Sequence, residues 1–598
     1  MRFRNFVIQN FPFLEDDFDA LTDYQLFCKM VAYVKKLYIN NEKLLKEITA
    51  NLEQMYEDGK FDSLIEEIVN LQTTFTFDTV SDMKDATNLV NGCYTKTLGY
   101  NSINDGGNSY YKIRNKSEDD TIDEVFIIEI DENLVAELIV LNNEINVKQG
   151  GLSGNALEDA TDILTSIFSK GYNIYFPKGT YNVTNTLTLL SQKLRGDNNE
   201  SIIKLNSETN KQLIYANELS NVEITNLKFD LGELTDSLQS NINLFSTNGL
   251  LIKDCEFIGG YGTQVRLNGS TDVLIENCYF HNVGGDDTNP GEGVYCNGIT
   301  NLTMLKCKSD YLHDHILYLD GSGGIDNVLV SNCYIKRSGY DMITENGAGI
   351  AVYGNAKNVT IENSIFDSCR NGINVARRNN ILPSNIFINN NHIYNSEQDA
   401  IYSESNGIYI RNNILNDNGY NGLDLRNGNN YYISNNICYN NTTTGINIRN
   451  GENIVISDCT MYDNTSSGIT IGYNVSNICS HVKISNCIAY GTDANKQLSG
   501  IQILNSDDVT ITTCKSYGNT VNYDTQRSTS TNLVSQLNSD RESTVNSLMY
   551  RSAIPNTGSY NRGDTILFTS PSAGGSIGAV CVTAGSPGTW KTFGNISS

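Results

Sequence analysis

The sequence predicts a mainly β chain built around a long parallel β-helix, and three observations carry that prediction. A nine-residue template of alternating apolar and polar residues recurs through the middle of the chain, glycine outnumbers proline 49 to 7, and cysteine returns at one fixed place in the template. Alternation with period 2 marks a strand whose two faces differ, and repetition every roughly 20–50 residues marks a solenoid or a propeller. The 598 residues amount to several domains' worth of chain. Hydrophobic residues (39%) and charged residues (18%) are both scarce, yet 34 Tyr and 20 Phe give the chain enough bulk to fill a core, which argues against disorder.

Twelve segments fit the template, starting at Asn221, Gly249, Asp272, Asn301, Asn327, Asn358, Asn385, Gly407, Asn430, Asn453, His481 and Asp508. "NVEITNLKF", "DVLIENCYF" and "NIVISDCTM" are typical, and successive starts lie 22 to 31 residues apart. A second short strand opens on glycine between them, at Gly372, Gly422, Gly445, Gly468 and Gly500. A unit of this length with two or three short strands is one coil of a parallel β-helix, about 12 coils in all. A propeller blade needs about 40 residues, and the leucine framework of a leucine-rich repeat is missing.

The cysteines agree with that reading. Seven of the 14 (Cys255, Cys278, Cys307, Cys333, Cys459, Cys487 and Cys514) take the seventh place of their units, and Asn391, Asn413 and Asn436 take it in three others. Stacked about 4.8 Å apart from coil to coil, they form an interior ladder of thiols packed as small hydrophobes. One group per coil does not converge on a point, so neither a metal nor a cofactor is expected. The start "MRFRNFVIQNFPFLEDD" turns acidic by Glu15 without an apolar stretch, so it does not read as a signal peptide, and disulfides are not expected.

The flanks divide the rest. Residues 1–75 carry apolar residues at helical spacing (Leu26, Met30, Val34, Leu37, then Leu44, Leu45, Ile48, Leu52 and Met55), the pattern of a self-associating helical attachment segment. A small β-rich neck module is expected over 76–147, the β-helix over 148–520, a polar linker over 521–550 and a C-terminal β module with the only Trp, Trp590, over 551–598. Forty-two basic against 68 acidic residues leave a net charge of −26, which repels phosphate backbones and anionic lipid. Neither nucleic acid nor membrane insertion is expected.

Three stretches carry a family resemblance. "FPFLEDDFDALTDYQLFCKMVAYVKKL" resembles the opening of tail-fibre and appendage proteins from phages of Gram-positive bacteria. "FDTVSDMKDATNLVNGCYTKTLGYNSINDGGNSYYKI" is similar to the neck module ahead of many tailspike β-helices. "INVKQGGLSGNALEDATDILTSIFSKGYNIYFPKGTYNVTNTLTL" resembles the start of the pectate-lyase-like superfamily, although Glu158 and Asp162 only loosely fill the place of its usual acidic pair. The resemblance implies a right-handed β-helix in a homotrimeric bacteriophage tailspike or preneck appendage. It implies a virion location, attachment to tail or collar proteins through the N-terminal segment, and a host surface glycan or wall polymer as partner.

Where such a scaffold could carry chemistry follows from its loops, since core strands are committed to packing. Two loops are long, His281–Gly293 and Lys336–Gly349, in coils two apart. Three of the five histidines (His281, His313 and His315) fall in or between them, with Asp286, Asp287, Glu292, Asp310, Asp314, Asp341 and Glu345. Glycoside hydrolysis uses two carboxyl groups about 5–10 Å apart, a span that neighbouring coils bracket. Asp286 or Asp287 is accordingly the expected base and Asp341 or Glu345 the expected acid. Substrate contacts are expected from Glu292, Asp310, His313, Asp314, His315, Arg337, Arg370 and Arg377. Read as a strand, "HDH" puts His313 and His315 on one side and Asp314 on the other. Arg370, Arg377 and Arg378 form a basic spot that grips an anionic sugar or pairs with nearby acids, and Glu397, Asp399 and Glu404 are a reserve carboxylate group. Three alternatives stay open: a polysaccharide lyase, a receptor-binding spike without catalysis, and a structural collar fibre.

Overall fold

The computed structural model describes residues 75–198, 200–206, 212–232, 240–285, 291–339, 347–473, 478–492, 496–524, 533–536, 538–539, 548–558 and 560–597. The expected attachment helices of residues 1–74 lie outside the described residues. The chain divides into two units, 1–179 and 180–598.

In the first unit, Phe75–Phe77, Tyr94–Thr97, Ser109–Asn115, Leu134–Leu138 and Ile127–Glu129 lie side by side in that order. Alternation decides what they bury: Tyr111 and Ile113, with Val135, Ala136 and Ile128, are fully enclosed. A short helix, Val80–Lys84, begins where Thr79 and Asp82 cap each other reciprocally. A second helix, Thr161–Ser169, buries Leu164, Ile167 and Phe168.

The second unit is a parallel β-solenoid in which all twelve templates stack in register. The second residue of each unit forms one unbroken inward column: Val222, Leu250, Val273, Leu302, Val328, Val359, Ile386, Ile408, Tyr431, Ile454, Val482 and Val509. None is more than 2% exposed. At about 1.5–3 kcal/mol per buried aliphatic side chain, such columns are the main stabilising term.

The corners explain the asparagines. The first residue of every template has positive φ, from Asn221 at 56° to Asp508 at 50°. So has the sixth, from Asn226 at 56° to Thr513 at 55°. Left-handed backbone costs most L-residues about 1–2 kcal/mol, least Asn, Asp and Gly, so the sequence spends its asparagines where the coil turns. The seventh residue then points inward. Described cysteines are all unbridged, and Cys255, Cys278, Cys307, Cys333, Cys459, Cys487 and Cys514 are buried, as the packing reading requires. Burial pushes the Cys369 and Cys479 thiols up to about 12, which keeps them protonated.

Rungs continue past the twelve templates at both ends. Gln212–Asn217 pairs with Ser240–Phe245, and Val521–Asp524 and Leu533–Gln536 pair with Ser499–Ile503 and Ser506–Thr512. The last two fall where the sequence reads as linker. Their strands are only four residues long, too short for alternation to stand out, but Asn538 sits in the inward slot and donates to Ile511 O at 2.9 Å. Beyond them, Leu548–Arg551, Thr565–Phe568, Ser576–Thr583 and Thr589–Asn595 form a separate sheet. There Trp590 meets the Tyr560 ring edge-on and donates to Pro587 O. No helix among the described residues is long and apolar enough to cross a membrane.

Candidate functional site

Each glycine-opened strand turns one side chain inward and the next outward, so the outward residues line up from coil to coil. One such row runs Asn243, Arg266, Tyr295, Tyr318, Ala351, Asn374, Tyr402, Asp424 and Asn447. It carries a bonded polar and aromatic network. The Arg266 guanidinium lies 4.6 Å over the Tyr295 ring, and Tyr295 Oη donates to Asp320 at 2.7 Å. Arg378 donates to Tyr318 Oη at 2.6 Å and lies 3.2 Å from Asp320.

Midway along this face is a cavity of about 420 Å³ lined by Asn371, Asn374, Tyr402, Tyr420, Arg426 and Arg449 around Asp399. Asp399 Oδ1 accepts from Asn421 N (2.9 Å) and Nδ2 (2.8 Å). Burial, and then the charge of Asp424, push the Asp399 carboxyl up from 3.8 to about 6. Asp424 itself is fully enclosed, held by Arg426 at 2.6 Å and Arg449 at 3.1 Å. A carboxyl that keeps its proton well above the usual carboxylate range, beside an ion-paired one, is equipped for proton transfer.

The structure also gathers three of the sequence-predicted contact residues. Glu292, Asp314 and His315 are 2, 4 and 2% exposed, and one ligating atom from each lies within 4.8 Å of the others. Thr263 donates to Glu292 Oε2 at 2.6 Å, and the His315 ring stacks on Tyr318. Burial and the Asp314 charge push Glu292 up to about 7. This grouping departs from strand alternation because residues 313–316 form a bend between Lys308–Leu312 and Leu317–Ser331. Asp314 therefore joins His315 instead of facing away, with Oδ1 2.8 Å from His315 Nδ1.

The remaining predicted residues are spread. Arg337 grips Asp310 through two bonds (2.7 and 2.5 Å) and lies 3.5 Å over the Tyr311 ring. His313 borders a separate depression of about 600 Å³ with Tyr261, Asn282 and Tyr311. Arg377 pairs with Glu404 at 3.2 Å and Arg378 with Asp320. The Arg370 backbone continues the rung through Ser338 O. Asp286, Asp287, Asp341 and Glu345 lie outside the described residues. Gly347, where the described chain resumes after the second loop, accepts from Asn371 Nδ2 in the cavity wall at 3.2 Å.

Sequence reading singled out Asp399 but missed Asp424. The signal is present: in the glycine-opened strands the outward residue is Asn374, Asn447, Thr470 or Gln502, and only "GLDLR" places an acid there, with an arginine two residues on.

No curated protein matches the chain. Among solved structures, tailspike protein 2 of Escherichia coli O157:H7 bacteriophage CAB120 is 13% identical over 73% of this chain and 51% of its own, with a TM-score of 0.41. The pre-mature bacteriophage phi29 gene product 12 is 16% identical over 68% and 59%, with a TM-score of 0.47. Tailspike protein 3 of bacteriophage CBA120 is 12% identical over 81% and 73%, with a TM-score of 0.45. The chain thus spans about half the length of the first and three-fifths of the second. The family model for the right handed beta helix region matches residues 212–386 and 380–539, more than half of the chain. With its coils stacked in register across those residues, the chain belongs to the right-handed β-helix family.

Proposed function

We propose that this chain is a bacteriophage spike that binds a host-surface polysaccharide along the outward face of the glycine-opened strands and cleaves it at the Asp399 cavity. The observation that carries the reading is the protonatable, enclosed Asp399 carboxyl in a cavity whose walls are amides, tyrosines and arginines. Amides and guanidiniums bind sugar hydroxyls and carboxylates, and tyrosine faces stack on sugar rings. In this proposal Asp399 is the general acid. Asp341 or Glu345 is assigned the second carboxylate, since Gly347, the next described residue after them, accepts from Asn371 in the cavity wall, and Asp286 or Asp287 is the alternative. Sugar contacts are assigned to Asp310, His313, Arg337, Arg370 and Arg377. The N-terminal resemblance supports a homotrimer carried on the phage tail or collar.

Arg426, Arg449 and Tyr402 in the same cavity favour a second reading, β-elimination from an acidic sugar, in which an arginine offsets the uronate charge. Incubating the purified protein with host wall glycopolymer separates the readings. New reducing ends, abolished in Asp399→Asn and in Glu345→Gln or Asp341→Asn, indicate hydrolysis. Absorbance of unsaturated sugar, abolished in Tyr402→Phe, indicates elimination. Saturable binding without shortening leaves a receptor-binding spike and refutes both.

A further inference from the structure

We propose that Glu292, Asp314 and His315 form a binding site for one divalent transition-metal ion of the zinc class, inside the rim of the solenoid. Glu292 and His315 are neighbours across one coil, because Gly293 N donates to His315 O and Gln264 N to Glu292 O. Asp314 reaches the same point through the bend that precedes His315. Three donors within 4.8 Å of one another need little movement to share an ion. Donors at about 2.0–2.2 Å from a metal stand at most roughly 4.4 Å apart.

A second observation points the same way. Asp314 is 96% buried by its 4% exposure, and its Oδ1, aimed at this cluster, has the His315 Nδ1 at 2.8 Å beside it but accepts no well-aligned hydrogen bond among the described residues. A buried carboxylate whose nearest neighbours are a misaligned imidazole nitrogen and a second carboxyl is poorly compensated, and coordination of a cation by all three groups would satisfy it. The surroundings fix the donors as metal sites require. Thr263 occupies Glu292 Oε2, Arg266 donates to Thr263 at 3.0 Å, and Tyr318 holds the plane of the His315 ring. One imidazole and two carboxylates suit zinc or manganese; calcium takes six to eight oxygens, far more than this set offers.

The test reads metal binding alone and stands whether or not the Asp399 cavity cleaves glycan. Full-length protein, stripped with a chelator and dialysed, is titrated with zinc chloride and, separately, calcium chloride by calorimetry. The expected result is one zinc per chain with a raised melting temperature, and no calcium binding at the same concentrations. Glu292→Gln and Asp314→Asn each weaken zinc by at least about tenfold, with an unchanged far-ultraviolet dichroism spectrum. Should either variant fail to fold, X-ray absorption of the zinc-loaded wild type decides: a nitrogen and oxygen shell with one imidazole supports the site, and sulfur ligands overturn it. Absence of saturable zinc binding, or wild-type affinity in both variants, overturns it equally.

Discussion

Asn413→Ala should be among the most damaging single substitutions in the solenoid, although it removes only one small amide. The side chain is fully buried. Its Oδ1 accepts from Asn391 N (2.9 Å) and Nδ2 (3.1 Å), while its Nδ2 donates to Ile388 O (2.9 Å) and Asn436 Oδ1 (3.0 Å). After truncation Asn391 Nδ2 still reaches Ile361 O, and Asn436 Oδ1 still accepts from the residue 413 backbone. Asn391 N loses its side-chain partner in a dry interior, and Ile388 O, whose residue pairs with Ile410 in the parallel ladder, loses its side-chain donor. One orphaned N–H at about 1–3 kcal/mol, with the lost second bond to Ile388 O at about 1 kcal/mol, gives an expected loss of about 2–4 kcal/mol. Cys278→Ala, at the equivalent place, gives up only long sulfur contacts to Ile252 O (3.7 Å) and Glu276 O (3.4 Å) and should cost about 1 kcal/mol. Urea unfolding followed by far-ultraviolet dichroism measures both. If Asn413→Ala costs no more than Cys278→Ala, the asparagine run is packing like the thiols, and the hydrogen-bond argument is refuted.

The Asp399 carboxyl is raised in the folded chain, so between its ordinary 3.8 and about 6 the folded chain holds a proton the unfolded chain has released. Stability should therefore fall as pH rises through that window; urea midpoints at successive pH values should fall less steeply in Asp399→Asn than in wild type, the slope from Glu292, raised to about 7, being common to both. Thr513 is a β-branched residue at φ 55°, in a corner that Asn or Asp takes in most other coils. Thr513→Gly should raise stability by about 1 kcal/mol, read as a higher melting temperature, and no gain would mean that the corner carries no strain.

The fold was legible because each coil writes its geometry locally. Alternation marks the inward column from Val222 to Val509, and the Asn at places one and six marks the left-handed corners. The site was legible only in part, because its contacts run between coils. Glu292 and His315 are 23 residues apart, one coil, and so touch side by side; aligning the glycine-opened strands of the sequence would have paired them. Asp314 was assigned to the wrong side because the alternation rule was applied across a bend that nothing in "HDH" announces. Asp399 was visible as one of a group of acids, but its partner Asp424 lies in an otherwise ordinary repeat strand.

Those departures have a common location. On the rim of the glycine-opened strands, the residue ahead of each turn is a neutral polar group in coil after coil: Asn371, Asn421, Thr444, Ser467 and Ser499. Such groups satisfy one another through the rungs, as Asn421 does with the backbone of Thr444. Glu292, His315 and Asp399 take this place in three coils, where burial of an ionisable group costs several kcal/mol unless it is paired. A solenoid can repeat the neutral choice indefinitely, so packing gives no reason to abandon it. Recognition or chemistry does, and both sites proposed here rest on the rungs where the repeat gives up its least costly residue.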